Sequence, residues 1–441
     1  MSKYIQSKES LDSHLLLWDI RPTQTSIEEK YEINVYPTTT YDNAYGAPID
    51  FDIPKQPNGC LYDIDIVTTW QVKKGDANLQ DKENVSIINN FSNALYGYVD
   101  IQVGNRVNIM QSMEQAYGYQ TFFNTVLNNS SNRSDYLYES ETFVMDTGAD
   151  KAAADCVIFF DTEESNILNK GGEKRAKKIR LSREVTSKTK LNTPLLNHAK
   201  VLPSNMTIKV TLAKNKDKFL LMSGADDHVV VIKNVHLVCT FLRPKSVLLN
   251  LLDERLKQSP AVYDIEYPQI AMRSIPVNEK QYTLYDFFPS KLPKAAFFAL
   301  VSAADLSGDY KKNPFTFHRL TSFQIYVDNR EFYNSPIKFI NKANDHLDFT
   351  QAYVQLFKAL GLERSGDCLI NSNNFNINYM IAAVLTADKS HLSHLNLQKT
   401  ADVRIELELD VQSTEPMILI TYALYDKLYS IDSDRQLTII E

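Results

Sequence analysis

His391 and His394 stand three residues apart, a spacing that can put two imidazoles on one face of a helix and toward a metal ion. No acidic or cysteine partner follows at a matching interval, and the Ser and Asn around them read as a loop, so no metal centre is expected there. Asp76, Asp81 and Glu83 are too loosely spaced for a calcium-binding loop and read as a solvated turn. Gly171-Gly172 lacks the Lys-Ser/Thr of a phosphate-cradling loop, and no GxSxG, HExxH or paired-carboxylate motif occurs. The four cysteines, Cys60, Cys156, Cys239 and Cys368, show no CxxC spacing, so they read as buried thiols of a reducing compartment, not as zinc ligands or a disulfide framework. One positive run stands out: Lys170, Lys174, Arg175, Lys177, Lys178 and Arg180, opposed in charge only by Glu173. It suits phosphates or an acidic partner by counterion release, or else it is a solvated loop; no aromatic residue interleaves it as a stacking platform requires. No catalytic, cofactor-binding or metal-ligating residue is assigned, and no enzyme is expected.

The elements that would position any such group are strands. Val99, Ile101 and Val103 alternate with Tyr98, Asp100 and Gln102, the period of a strand with one buried face, and Gly104-Asn105 supplies a turn. Phe323, Ile325 and Val327 alternate likewise before a turn at Asp328-Asn329, at a constant offset of 224 residues. Each hairpin precedes an aromatic helix. Ser112 and Gln115 fit a capping box ahead of Tyr119, Phe123 and Leu127; Asp348 and Gln351 fit another beside Phe349, Tyr353 and Phe357. Ile208 to Leu212 and Arg404 to Leu409 form a third matching pair, each followed by an apolar closing segment, 228–242 and 417–428. The chain therefore reads as two similar β units in tandem.

In chain order, residues 1–20 form a polar arm ending in Leu15-Leu16-Leu17-Trp18, which either ties neighbouring subunits together or frays. The first unit covers 21–244, opening with strands at 31–35, 49–53 and 61–70 that prolines punctuate. A polar insertion from 128 to about 200 holds one clear strand, Cys156 to Phe160. A helical connector spans 245–258, and the second unit covers 259–441. Short strands without strand-helix-strand alternation indicate a sandwich or barrel.

With 441 residues the chain can build two or three full cores, and a net charge of −7 denies it a global basic field for nucleic acid. The 24 Tyr and 21 Phe suit pleated surfaces and subunit contacts alike. The longest apolar run, Ala295 to Ala304, is about half of what a membrane span needs, and the N-terminus has no apolar leader, so a soluble intracellular product is expected. Its six glycosylation sequons, at Asn84, Asn90, Asn128, Asn129, Asn132 and Asn205, would then be inert.

The chain resembles the double-jelly-roll major capsid (hexon-like) proteins of Polinton/Maverick elements and the related adintoviruses. The resemblance is carried by Pro22 to Ser26, Tyr31 to Pro37, Asn89-Asn90-Phe91 leading into the Val99 hairpin, and Tyr117 to Leu127. It continues through Leu292-Pro293-Lys294, Gly308 to Phe317 and Tyr422 to Asp432, covering nearly the whole chain except the insertion. It implies an all-β fold of two tandem eight-stranded jelly rolls with short helices in the loops. It further implies a homotrimeric capsomer of an icosahedral virion, packed against neighbouring capsomers and penton or minor capsid proteins. Double-stranded DNA would be packaged only indirectly, with synthesis in the cytoplasm and assembly there or in the nucleus. Two other readings stand beside it: a tandem jelly-roll binding module, lectin-like or a receptor-binding spike, and a cupin-type metalloenzyme, for which the eight histidines offer no motif.

Overall fold

The computed structural model describes residues 20, 23–104, 107–108, 115–147, 157–161, 163, 166–225, 227–342, 346–386, 395–410 and 413–440. The expected arm, the Ser112 cap, Cys156 and the His391/His394 pair lie outside the described residues.

Eight strands of the first half set its architecture: β1 (Ile27–Val35), β2 (Pro48–Ile53), β3 (Cys60–Lys74), β4 (Tyr96–Val103), β5 (Val107–Asn108), β6 (Val185–Lys190), β7 (Ile208–Lys214) and β8 (His228–Pro244). They form two antiparallel sheets, β1-β8-β3-β6 and β2-β7-β4-β5. The second half supplies β9 (Ala261–Ile275), β10 (Gln281–Leu284), β11 (Ala295–Ser302), β12 (Ser322–Val327), β13 (Arg330–Glu331), β14 (Ile381–Val384), β15 (Val403–Glu408) and β16 (Met417–Ile431). Their sheets are β9-β16-β11-β14 and β10-β15-β12-β13, again antiparallel. Every pairing of the first half recurs with each strand number raised by eight. In both halves sequence-distant strands interleave within each sheet, which is the jelly-roll topology.

Each sandwich closes on its inward residues. Thr68 on β3 and Tyr96 on β4 share a hydrogen bond of 2.8 Å across the first core, where the Trp70 ring lies 4.2 Å from Phe91. Phe298 on β11 meets Phe323 on β12 at 5.1 Å across the second. β8 carries a bulge between Ile232 and Asn234, which shifts the inward parity so that Ile232 and Val235 both face the core.

The two repeated hairpins differ at their tips. Val327 pairs with Arg330, and Asp328 and Asn329 have φ of 49° and 61°, the double left-handed geometry of a two-residue turn that matches strand twist. Val103 pairs instead with Val107, after Gly104 at φ 61°. Short polar residues at 328 and 329 tolerate that backbone, so the turn is readable in the sequence.

Two sequence expectations need correction. Residues 157–160 are not a strand; Val157 and Phe159 are buried, but the backbone N–H groups of Phe159 and Phe160 donate to Asn84 Oδ1 at 3.0 and 2.8 Å. The strand within the insertion is β6, whose inward residues are Val185, Ser187 and Thr189. An aliphatic residue is not needed at 187, because its hydroxyl accepts from the Trp70 indole at 3.3 Å. At the first aromatic helix, α1 (Ala116–Asn128), the N-cap is Gln115, at φ 65°, and its side-chain amide donates to Asn215 at 2.8 Å. Further along lie α2 (Ser134–Glu141), α3 (Lys170–Ile179), the connector α4 (Ser246–Gln258) and α5 (Thr350–Leu360). At α5 the N-cap is Phe349 and not the expected Asp348, which stands one residue earlier and accepts the Thr350 N–H at 3.1 Å.

Candidate assembly interface

The two halves meet in a packed aromatic seam. α1 follows the β4–β5 hairpin, and the 3.6-residue period turns Tyr119, Phe122, Phe123 and Val126 inward, all fully buried. Their partners come from the second half. Phe122 stacks on Phe315 at 4.8 Å with planes 8° apart; Phe123 stacks on Tyr422 at 5.3 Å and on Phe317 at 5.7 Å. The Tyr119 hydroxyl donates to the Pro314 carbonyl at 3.0 Å. The hydrophobic core consequently runs unbroken from one half into the other.

The stretch 308–317 is the second half's side of this seam. Gly308 takes φ 89°, and a Cβ there would sit 2.6 Å from the Phe219 nitrogen of the first half, so only glycine fits. Ser223 N donates to Tyr310 O at 2.6 Å, and the Tyr310 hydroxyl donates to His228 O at 3.2 Å. Asn313 Nδ2 reaches Asp146 Oδ2 at 2.8 Å. At the opposite end of the seam Arg435 donates to Asp253 on α4 at 2.6 Å and to the Ser204 carbonyl at 3.0 Å.

The apolar run at β11 is explained by this contact. All eight of its residues are buried, because Phe298 faces the sandwich core while Phe297 and its cross-strand partner Tyr422 face α1. The corresponding outer face of β3 is polar. Asp63 and Asp65 there pair with Lys190 and Lys188 of β6 at 3.3 and 3.1 Å, and they line a cleft of about 610 Å³ with Asn124, Asn128 and Glu141. Burial raises the Asp63 carboxyl above its ordinary range despite Lys190, and it raises Glu141 against the Asn93 amide.

The positive run at 170–180 is neither a solvated loop nor a free cationic patch. It is α3, capped by Asn169, whose side chain accepts the Gly172 N–H at 2.8 Å. Arg175 is fully buried, ion-paired with Asp146 and donating to the carbonyls of Ile87 and Val144. Lys177 pairs with Glu173, Lys178 with Glu139, and Arg180 with Asp81. Asp81 is thus engaged by a guanidinium whose hydrogen bond holds its carboxyl below the usual range. Through Asp146 the buried end of this helix is linked to Asn313 of the seam.

Sequence reasoning missed one constellation. Ser223 Oγ lies 3.0 Å from His228 Nδ1, and His228 Nε2 lies 3.2 Å from Glu83 Oε1. The order of groups is that of a nucleophile, base and orienting acid. However, Ser223 and His228 are 1% and 2% exposed, Ser223 Oγ accepts the Ala225 N–H at 3.1 Å, and Glu83 is paired with Lys74 at 2.6 Å. A substrate carbonyl has no approach to that hydroxyl, so the cluster clamps the start of β8. The thiols are equally closed to chemistry: burial pushes Cys60 up to about 11 and Cys239 to about 12, leaving both protonated at neutral pH. Among the described residues no group of three His, Cys, Asp or Glu could hold a metal, and no helix is long and apolar enough to cross a membrane.

No family model and no curated protein matches the chain in sequence. Solved structures match it along almost its full length. A chain of the Sputnik virophage superposes with TM-score 0.61 at 9% identity, covering 99% of this chain and 93% of that one. The PBCV-1 virus capsid gives 0.56 at 11%, covering 96% and 99%, and the mavirus major capsid protein gives 0.54 at 12%, covering 100% and 96%. Strand order, register and these full-length likenesses agree that the fold is an all-β double jelly roll, two eight-stranded sandwiches in one chain.

Proposed function

We propose that this chain is the major capsid protein of an icosahedral double-stranded DNA virus or virus-like transposon, a structural and non-catalytic component of the virion. The full-length likeness to two named capsid structures carries the reading. The finer assignment, to the proteins of Polinton/Maverick elements and adintoviruses, rests on the sequence resemblance alone. Residues 21–244 and 259–441 act in this reading as two equivalent units.

The seam supports a trimer. Within one chain, α1 of the first unit lies on the outer face of β9-β16-β11-β14. Its counterpart α5 has Val354 outward at 42% exposure, and the counterpart sheet β1-β8-β3-β6 carries the half-exposed Asp63, Asp65 and Val67. A head-to-tail contact leaves one donor face and one acceptor face unused, and further copies repeat it until the rotation closes. Two units per chain and three chains give a six-sided tile that packs against neighbouring capsomers and penton or minor capsid proteins. The polar character of the open faces suits an interface formed between separately folded subunits. Double-stranded DNA is enclosed without direct recognition, in keeping with the net charge of −7.

Light scattering with negative-stain microscopy tests the reading on the purified chain. The expected result is a particle three times the 50.4 kDa chain mass with a hexagonal three-lobed outline. A 50.4 kDa species that does not change with concentration overturns it.

A further inference from the structure

The connector α4 does more than join the two units. Leu249 and Leu256 face the protein and are 8% exposed, whereas Val247, Leu248, Leu251 and Leu252 are 68%, 36%, 53% and 49% exposed. At about 100° per residue these four lie on one continuous arc beside the buried pair, so the apolar stripe of the helix is twice as wide as the surface beneath it. No other helix among the described residues turns four large apolar side chains outward. A stripe of this kind is a binding face awaiting cover.

We propose that residues 11–18 of the chain's own N-terminal arm cover the outer face of α4. The first argument is where the arm enters the fold. The Lys245 N–H donates to the Ser26 carbonyl at 3.0 Å, so β1 begins beside the first turn of α4. Trp18 to Ser26 is eight residues, a reach of up to about 28 Å. Val247 to Leu252 extends only about 8 Å along the helix axis. The arm is therefore long enough to lie on the α4 of its own chain without strain.

The second argument is chemical. Before Thr23 the chain concentrates its large apolar residues in one segment: Leu11, Leu15, Leu16, Leu17 and Trp18. Leu11, Leu15 and Trp18 recur at i, i+4 and i+7, the spacing that presents one apolar stripe, with Asp12, Ser13 and His14 between. An apolar stripe of matching length, tethered within reach of an uncovered one, binds at the high effective concentration of an intramolecular ligand. The arm then fastens the connector from outside while Leu249 and Leu256 fasten it from inside. The inference does not rest on the capsid reading.

Hydrogen exchange with mass spectrometry tests it on the full chain and on a chain beginning at Thr23. Amides of residues 247–252 should exchange about tenfold more slowly in the full chain. The exposed-site variant Leu251→Ser should lose most of that protection while β3 and β16 keep theirs. Equal exchange in the full and shortened chains overturns the proposal. A Leu15→Cys/Leu251→Cys pair, oxidised at high dilution and read on the denatured chain, identifies the occupant. A disulfide within one chain is expected. A disulfide only between chains assigns the face to a neighbouring copy's arm, and no disulfide at all assigns it to something other than the arm; either result overturns the proposal.

Discussion

If the seam holds the two units as one body, Phe122→Ala should weaken both of them although Phe122 belongs to the first. Phe122 is fully buried, and its ring lies 4.8 Å from Phe315, 5.6 Å from Phe317, 6.2 Å from Phe143 and 6.3 Å from Phe123. Two of these four neighbours belong to the second unit, so the cavity opens on the boundary and neither sandwich can collapse into it alone. Truncating a buried Phe costs about 3–5 kcal/mol, and the rigid rings around this one place it toward the upper end. The Phe122–Phe315 stack should add a coupling of about 1 kcal/mol in a double-mutant cycle. Urea unfolding at fixed protein concentration measures both numbers. Fluorescence of Trp70, buried between the sheets of the first unit, follows one half, while exchange of β12 and β15 follows the other. The two probes should move together and lose about 4 kcal/mol, roughly a thousandfold in the folding equilibrium. A variant in which Trp70 shifts alone, with β12 and β15 keeping their wild-type midpoint, would refute the claim of a shared core.

Three further outcomes follow from the same contacts. Arg175→Met should cost about 3–5 kcal/mol, because Asp146 is left buried without its guanidinium; adding Asp146→Asn should recover part of the loss, read by thermal or urea melts. Asn329→Val should cost about 1–2 kcal/mol, since a β-branched residue must be held at φ 61° in the β12–β13 turn; circular dichroism melts showing no loss would contradict that geometry. Asp305 is set by opposing causes: burial raises its carboxyl, but the hydrogen bond from His318 at 2.9 Å and the nearby Lys312 charge outweigh it and hold it below the ordinary range. A depressed folded value stabilises above the unfolded value and fades as pH falls through the folded one. The stability gap between wild type and Asp305→Asn should therefore be open at about pH 5 and close as pH falls below about 4; a gap that is undiminished below about pH 3 is the contrary result.

The repeat was legible in the sequence where the physics is local. Alternating Val99-Ile101-Val103 and Phe323-Ile325-Val327 mark half-buried strands, and Asp328-Asn329 marks its own turn. The helical stripes at Tyr119/Phe123 and Tyr353/Phe357 are equally local. What escaped depends on distant partners. β6 was hidden because its inward Ser187 is chosen by Trp70, a neighbour that no window around Val185–Lys190 contains. Residues 157–160 misled in the other direction: apolar alternation there serves burial of Val157 and Phe159, while Asn84 takes the backbone donors that a strand would have offered to a sheet. Arg175 looked like one more cation in a basic run. Only Asp146 and two carbonyls from elsewhere in the fold make it a core residue.

The two units share topology strand for strand, yet their outer faces have diverged, and the divergence is directional. β11 and β16 present Phe297 and Tyr422 to α1, while β3 presents Asp63 and Asp65 to an open cleft. Had both outer sheets been apolar, each unit could bind any other, and a chain would associate without a defined order. With one face apolar and satisfied inside the chain, the remaining contact is restricted to polar partners of correct geometry, where mispairing leaves charges such as Asp63 and Asp65 unmatched. Gly308 sharpens the same distinction, since the close approach to Phe219 that requires its bare backbone is made inside one chain. The internal seam is thereby apolar and closed within the chain, and under the proposed capsid reading the polar outer face is the one left for selective contact.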